Sequence, residues 1–295
     1  MKSFPLVYVI LLNYNGYKDT IECIESLEKV TYPNMKIVIV DNNSTDGSEQ
    51  IIKEKFPQHT FIQTGDNLGF AGGNNVGINY ALEQGADYVC LLNNDTVVEK
   101  DFLDKLVETA EKDETIGIVG GTILQYEDNK KIWYAGGYFN RIGGKAVHIK
   151  KLPKQILNEV TFITGCLQLI RRKVLLEVGL LPEEYFLYYE DLDYCMQVRN
   201  KGYRLIYDKR AVIYHKCGGT ASYKSPISIY YSNRNRLIFY KKYFRGLDLF
   251  RYKIIYNILL CIKLLLYRKE NRNAIINVYK YNFRKRGFQS EGKKC

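Results

Sequence analysis

Val7-Tyr8-Val9-Ile10-Leu11-Leu12 is a six-residue apolar run that breaks off abruptly into Asn13-Tyr14-Asn15-Gly16. So short a run, bounded by turn formers, reads as a strand buried on both faces. Its nearness to Met1-Lys2 mimics a signal peptide, but no small-residue cleavage site follows, so it is read as the first core strand. The pattern then repeats. Residues 36–40 form a second run ending at Asp41, residues 60–63 a third, residues 88–92 a fourth ending at Asn93-Asn94-Asp95, and residues 116–123 a fifth. Helical spacing fills the gaps over 19–29, 48–55 and 101–112, and a glycine-rich loop over 65–75 opens a further helix ending near Gln84-Gly85. Strands alternating with helices predict an α/β fold around a mostly parallel, Rossmann-like sheet.

The second half is less regular. Residues 125–158 are rich in glycine and aromatics and predict irregular strands and loops. One buried strand is expected over 161–170 and a short helix over 172–178. An aromatic approach over 185–189 then meets Glu190-Asp191, which open a helix to Asn200-Lys201-Gly202. Two closing strands, 204–207 and 211–214, end at His215. Helical patterns dominate from residue 226 on. The expected division is an α/β domain over 1–223 and a basic, amphipathic helical region over 224–295.

Bulk properties narrow the class. With 46% hydrophobic residues, 26 tyrosines, 13 phenylalanines and 6 prolines, the chain has the composition of a packed domain rather than a disordered one. Seven scattered cysteines without a C-x-x-C pair argue against a disulfide framework or a structural zinc site and fit a reducing compartment. No stretch reaches the 18 or so apolar residues of a membrane span. The net charge of +11 is concentrated: residues 234–295 carry 17 Lys and Arg against 3 Asp and Glu, and the rest carries 26 against 29. A mildly acidic body with a basic end is not the pattern of a nucleic-acid reader, and no reader motif accompanies the charge.

Asp41, Asp95 and His215 share a placement just past the last apolar residue of an expected strand. Alone, each is an ordinary turn residue. Together they sit where open parallel sheets bind ligands, in the crevice beyond the strands' carboxyl ends. Asn93-x-Asp95 offers a hard oxygen ligand suited to a divalent cation, and His215 a nitrogen ligand that favours Mn²⁺ over Mg²⁺. The acids Glu190-Asp191-x-Asp193 have two readings: complements to the dipole of the helix they open, or, at Asp191, a general base. Asp193 is expected to pair with Arg199 or a neighbour. Tyr185, Phe186, Tyr188 and Tyr189 are either core or a wall on which sugar rings stack. The glycine loop lacks both G-x-G-x-x-G and a P-loop lysine, which disfavours a dinucleotide enzyme or an NTPase.

Taken in order, seven stretches resemble the family 2 glycosyltransferases of the GT-A nucleotide-diphospho-sugar transferase fold, over about residues 6–220. They are Val9-Ile10-Leu11-Leu12-Asn13-Tyr14-Asn15-Gly16, Val40-Asp41-Asn42-Asn43-Ser44-Thr45-Asp46-Gly47, Asn67-Leu68-Gly69-Phe70-Ala71-Gly72-Gly73-Asn74-Asn75, Leu92-Asn93-Asn94-Asp95-Thr96, Thr164-Gly165-Cys166, Phe186-Leu187-Tyr188-Tyr189-Glu190-Asp191-Leu192-Asp193, and His215 before Gly218-Gly219. The resemblance implies a nucleotide diphosphate sugar donor and inversion at the anomeric carbon by a single displacement. It implies that Asp41 hydrogen-bonds the base, that Asn13, Asn15, Asp66, Asn67 and Asn93 line the nucleotide pocket, and that Asp95 and His215 hold the metal. Asp191 would be the base, with Thr164, Gly165, Tyr189 and Glu190 near the sugar or the acceptor. Asn93 stands where the family's D-x-D motif has its first aspartate. That form, with Arg234-Asn235 downstream, looks like the rhamnosyltransferase-like branch, whose donor is dTDP-L-rhamnose; a UDP-hexose donor is the alternative. A nucleotidyltransferase would need a basic glycine loop near the N-terminus, which Asn13-Tyr14-Asn15-Gly16 does not supply.

In the tail, residues 254, 255, 258, 259, 262, 265 and 266 form one broad apolar face at helical spacing, flanked by Arg251, Lys253 and Lys263. Such a face packs on the domain or lies on an anionic membrane surface. A glycan or lipid-linked acceptor would give the second arrangement a purpose and would place the enzyme in the cytoplasm at the inner face of the membrane.

Overall fold

A computed structural model describes residues 4–141, 143–216 and 225–283. They fall into two compact units, residues 1–186 with 190–220, and residues 187–189 with 221–295. The boundary expected at 223/224 lies outside the described residues, as do Gly218-Gly219.

The first unit is built on a mixed sheet. Four parallel strands form one side: β1 (Val7–Asn13), β2 (Met35–Asp41), β3 (Thr60–Gln63) and β4 (Tyr88–Asn93), in spatial order β4-β1-β2-β3. Helices α1 (Tyr17–Leu27), α2 (Ser48–Lys55) and α3 (Gly69–Glu83) connect them. Val7, Val9, Ile10, Val38, Val40, Val89 and Leu91 are fully buried, which is why β1, β2 and β4 read as unbroken apolar runs. Register puts the strand ends in one row: Asn13 lies opposite Asp41, Asp41 opposite Gln63, and Leu12 opposite Asn93.

The glycine-rich stretch departs from the sequence reading. It is a loop only as far as Leu68; Gly69–Asn75 are already the first turns of α3. The glycines serve packing as well as turning. A Cβ on Gly77 would stand 2.6 Å from Ile10 Cγ2, so the helix can lie on the sheet only without side chains there.

Beyond β4 the chain makes β5 (Thr96–Val98), α4 (Phe102–Ala110), β6 (Ile116–Gln125), β7 (Ile132–Tyr134), a hairpin of β8 (Gly137–Asn140) and β9 (Lys145–His148), and β10 (Leu157–Val160). Then follow β11 (Leu167–Arg171), α5 (Arg172–Val178), a 3-10 turn Glu183–Tyr185, α6 (Glu190–Asn200) and β12 (Arg204–His215). The single strand expected over 161–170 is β11 preceded by an irregular segment that carries Thr164 and Gly165. The two closing strands are one long β12, with an irregularity in its pairing with β6 between Asp208 and Val212. The extension of the sheet is not wholly parallel: β11 inserts antiparallel between β4 and β6, while β12 runs parallel to β6. β12 therefore points the same way as β4, and its end joins the row that carries Asn13 and Asp41.

The described residues of the second unit form three helices, α7 (Pro226–Tyr243), α8 (Gly246–Leu266) and α9 (Lys269–Phe283). α7 is capped by Ser225, whose Oγ accepts from the Ser228 amide, with Pro226 at the first helical position. α8 buries Tyr252, Tyr256 and Leu260. Its isoleucine and leucine face is turned out: Ile254, Ile255, Ile258, Ile262, Leu265 and Leu266 are all exposed. No helix among the described residues is long and apolar enough to cross a membrane.

Candidate functional site

Asp41 is fully buried and ends β2. Its Oδ1 accepts from Asn13 Nδ2 (2.6 Å) and Ser44 Oγ (2.6 Å), and its Oδ2 accepts from the Ser44 amide (2.9 Å) and Gln63 Nε2 (2.9 Å). Four donors meet four lone pairs, so the carboxylate is a fully satisfied hub. Asn15, at φ +52°, joins the same cluster: its amide donates to Ser44 Oγ and its Oδ1 accepts from the Thr45 amide. Asn67 Oδ1 accepts from Asn42 Nδ2 (2.9 Å) and the Gly69 amide (3.0 Å), which ties the glycine stretch to the end of β2. The Asp66 side chain is exposed at the rim.

Asp95 follows β4 and is brought to His215 by a short strand absent from the sequence reading. β5 pairs antiparallel with β12 in a register that sets Thr96 opposite His215. His215 Nε2 and Asp95 Oδ1 lie 3.1 Å apart, and both residues are more than nine-tenths buried. The Lys216 amide donates to the Asp95 carbonyl (3.0 Å), and Lys216 Nζ reaches Asp19 (2.7 Å) and Glu22 (2.5 Å) on α1. Asn93, half-buried, takes the Cys166 carbonyl on its amide.

Trp133 on β7 lies edge-on to His215 with ring centroids 4.7 Å apart, and equally close to His148 on β9. Burial lowers the His148 pKa to about 4, which keeps it neutral. The sequence reading passed over Trp133 because it sits in the aperiodic stretch, where spacing carries no signal.

Could this pair hold a divalent ion? Adjacent ligands of an octahedral ion at about 2.1 Å lie about 3.0 Å apart, close to the observed separation. The donor set, one carboxylate and one imidazole, suits Mn²⁺. Among the described residues no group of three or more His, Cys, Asp or Glu side chains is placed to hold an ion. The donor chemistry of the pair therefore fits a divalent ion.

Glu190 and Asp191 open α6 in a different setting. Asp191 is partly exposed; its Oδ2 accepts from the Gly165 amide (3.0 Å) and its Oδ1 from the Leu192 amide (2.7 Å). Desolvation raises its pKa in spite of those two donors. Glu190 is buried, and its Oε2 has no hydrogen-bond partner among the described residues. Desolvation first, and the Asp191 charge second, push its pKa well above the usual carboxylate value. The two carboxyls titrate as a coupled pair, both pushed upward by burial. Asp193 accepts from Tyr185 Oη (2.6 Å) and Gln197 Nε2 (2.8 Å), the neighbour pairing anticipated for it. Thr164, buried, precedes the Gly165 amide that holds Asp191.

Phe186, Tyr188 and Tyr189 adopt φ of +53°, +68° and +78°, values that bulky residues rarely hold. Within the second unit, Asn235 of α7 donates to the Leu187 and Tyr188 carbonyls (2.8 Å each), and Tyr189 packs on Phe239 with centroids 5.6 Å apart. That is where Asn235, singled out from the sequence, acts: it pins backbone in a strained conformation.

Comparisons with known proteins agree with this architecture. Residues 8–179 match the family model described as "Glycosyl transferase family 2". The chain is 27% identical over 240 residues to the low-salt glycan biosynthesis hexosyltransferase Agl10 of Haloferax volcanii, covering 78% of this chain and 74% of that protein. It is 24% identical over 248 residues to the dTDP-rhamnosyl transferase RfbF of Shigella flexneri, covering 80% of each. The fold resembles that of the mannosyltransferase PcManGT of Pyrobaculum calidifontis, solved with GDP-Man and Mn²⁺. The TM-score is 0.60 at 17% identity, over 95% of this chain and 75% of that one.

Proposed function

The chain belongs to glycosyl transferase family 2, and on that premise we propose that it is an inverting enzyme whose donor is a dTDP-sugar, L-rhamnose by preference. The acceptor is a hydroxyl of a cell-surface glycan or a lipid-linked glycan. The observation that carries the reading is the meeting of Asp95 and His215 at 3.1 Å, on the same edge of the sheet as the Asp41 cluster. The donor base is given by likeness to a protein named as a dTDP-rhamnosyl transferase. A UDP-hexose donor is the second reading, favoured by the likeness to a protein named as a hexosyltransferase.

In this scheme Asn13, Asn15, Asp41, Asp66, Asn67 and Asn93 surround the nucleoside. The Asp41 carboxylate is filled by its own chain, so a base reaches it by displacing Gln63, whose side chain is the exposed donor of the four. Asp95 and His215 would hold Mn²⁺ or Mg²⁺. Bound there, the ion supplies Lewis-acid stabilisation of the leaving diphosphate. Asp191 takes the proton of the acceptor hydroxyl as that oxygen bonds to the anomeric carbon and the bond to the diphosphate oxygen breaks. Two amide donors orient the Asp191 carboxylate, and its raised pKa makes it a stronger base than a carboxylate in water. Thr164, Gly165 and Glu190 lie at this end, and Tyr189 is read as an acceptor contact.

The outward apolar face of α8, with Arg251 and Lys253 exposed beside it, supports attachment to an anionic membrane from the cytoplasmic side. That location suits a lipid-linked acceptor.

The test is diphosphate release from a panel of dTDP- and UDP-sugars, with Mn²⁺ and with chelator. Metal-dependent release from dTDP-rhamnose above all others supports the first reading, and release from UDP-hexoses alone selects the second. Turnover indifferent to chelator overturns the metal assignment.

A further inference from the structure

Thr20 was no part of the expected site, yet it is fully buried at the start of α1 and hydrogen-bonded on both sides. Its hydroxyl donates to Asn13 Oδ1 (2.8 Å) and accepts from Asn94 Nδ2 (2.9 Å). Asn13 Nδ2 in turn donates to Asp41 Oδ1 (2.6 Å), and Gln63 donates to the other Asp41 oxygen. The result is a continuous chain, Asn94 to Thr20 to Asn13 to Asp41, across the ends of β4, β1 and β2.

The polarity of this chain is dictated from one end. An ionised carboxylate only accepts, so Asn13 must present its amide nitrogen to Asp41. That turns Asn13 Oδ1 toward Thr20, whose hydroxyl proton lies between that oxygen (2.8 Å) and the Gly16 carbonyl (3.1 Å) and whose lone pair takes Asn94 Nδ2. Asn94 precedes Asp95, whose carbonyl is held from the other side by the Lys216 amide. Gly16 makes room for the link: a Cβ there would stand 3.3 Å from Asn94 Nδ2.

We propose that Thr20 is a positioning residue that couples the nucleoside end of the site to its metal end. A nucleoside and a divalent cation then bind cooperatively even where no phosphate joins them. This rests on the donor site proposed above. A ligand that fixes Asp41 restrains Asn94 through two intervening side chains, and an ion that fixes Asp95 restrains Asp41 in return. Linkage requires the two effects to be equal.

Trp133, the chain's single tryptophan, stands 4.7 Å from His215 and reports on the metal end by its fluorescence. The experiment titrates Mn²⁺ against Trp133 emission, alone and with saturating thymidine or uridine, neither of which carries a phosphate. In the unaltered protein the nucleoside is expected to tighten Mn²⁺ by about fivefold, the worth of one ordinary hydrogen bond. Thr20→Val reduces the effect to less than about twofold, and Thr20→Ser, which keeps the hydroxyl, restores it. Asn94→Ala breaks the same link from the half-buried end without touching α1, so the test survives if Thr20→Val does not fold. A fivefold effect that persists in Asn94→Ala or Thr20→Val overturns the proposal. Binding of both ligands with no mutual effect in the unaltered protein overturns it and leaves the donor site standing. Failure of the unaltered protein to bind either ligand takes down both.

Discussion

The two acidic centres of the first unit are built in opposite ways. Asp41 is buried with every lone pair answered by the chain itself, whereas Asp191 and Glu190 are desolvated, with two amide donors on one and, among the described residues, an unanswered oxygen on the other. A satisfied carboxylate holds its neighbours still. A poorly satisfied one is costly to keep ionised and eager for a proton. Recognition of a rigid nucleoside and removal of a proton ask for these two conditions respectively.

The sharpest break of this contrast is Asp191→Asn. It is isosteric and removes the basic oxygen, so turnover should fall by about 10²- to 10⁴-fold while dTDP affinity changes little. Diphosphate release and calorimetric titration check the two halves. Next in size is Asp41→Asn, which turns a donor toward donors. The loss should be about 1–3 kcal/mol of stability, read as a fall of several degrees in the thermal midpoint.

Glu190→Gln probes the other carboxyl through pH. Because the folded-state pKa of Glu190 is raised, the folded protein holds a proton that the unfolded chain has released. Stability therefore declines as pH rises past the ordinary value of 4.5 toward the raised one. Glutamine cannot titrate. The variant should lose that part of the slope, at most about 1.4 kcal/mol per pH unit, when urea midpoints at about pH 5 and about pH 8 are compared. The smallest effect on folding is expected on α8: Leu265→Ser, at an 81% exposed position, should alter stability by less than about 0.5 kcal/mol. It should nonetheless weaken sedimentation with anionic vesicles, and unchanged sedimentation would argue against α8 as the attachment face.

The sequence was most legible where burial imposed a pattern. β1, β2 and β4 announce themselves because both faces are covered, and the residues that end them, Asn13, Asp41 and Asn93, follow from the strands. It was less legible where the structure depends on pairing rather than periodicity. β5 has three residues, too few to show any period, yet its pairing with β12 brings Asp95 to His215. The antiparallel β11 cannot be told from a parallel strand by composition, because direction is set by the segment that leads into it. Thr20 and Trp133 escaped for a third reason. One reads as an ordinary residue in a helical first turn and the other lies in a stretch without spacing, and only contacts distinguish them. On α8 the apolar face was foreseen, but which face is buried was not: tyrosines 252 and 256 go inward and the isoleucines outward.

The division of labour between the two ends is tested most directly by titrating dTDP, with Mn²⁺ and with chelator, into three proteins: unaltered, Asp95→Ala and Asp191→Asn. The unaltered protein and Asp191→Asn should bind alike and lose affinity together when the metal is removed, while Asp95→Ala should bind weakly and equally in both conditions. Metal-dependent binding that survives in Asp95→Ala, or that disappears in Asp191→Asn, would contradict the assignment of donor and proton acceptor to separate carboxylates.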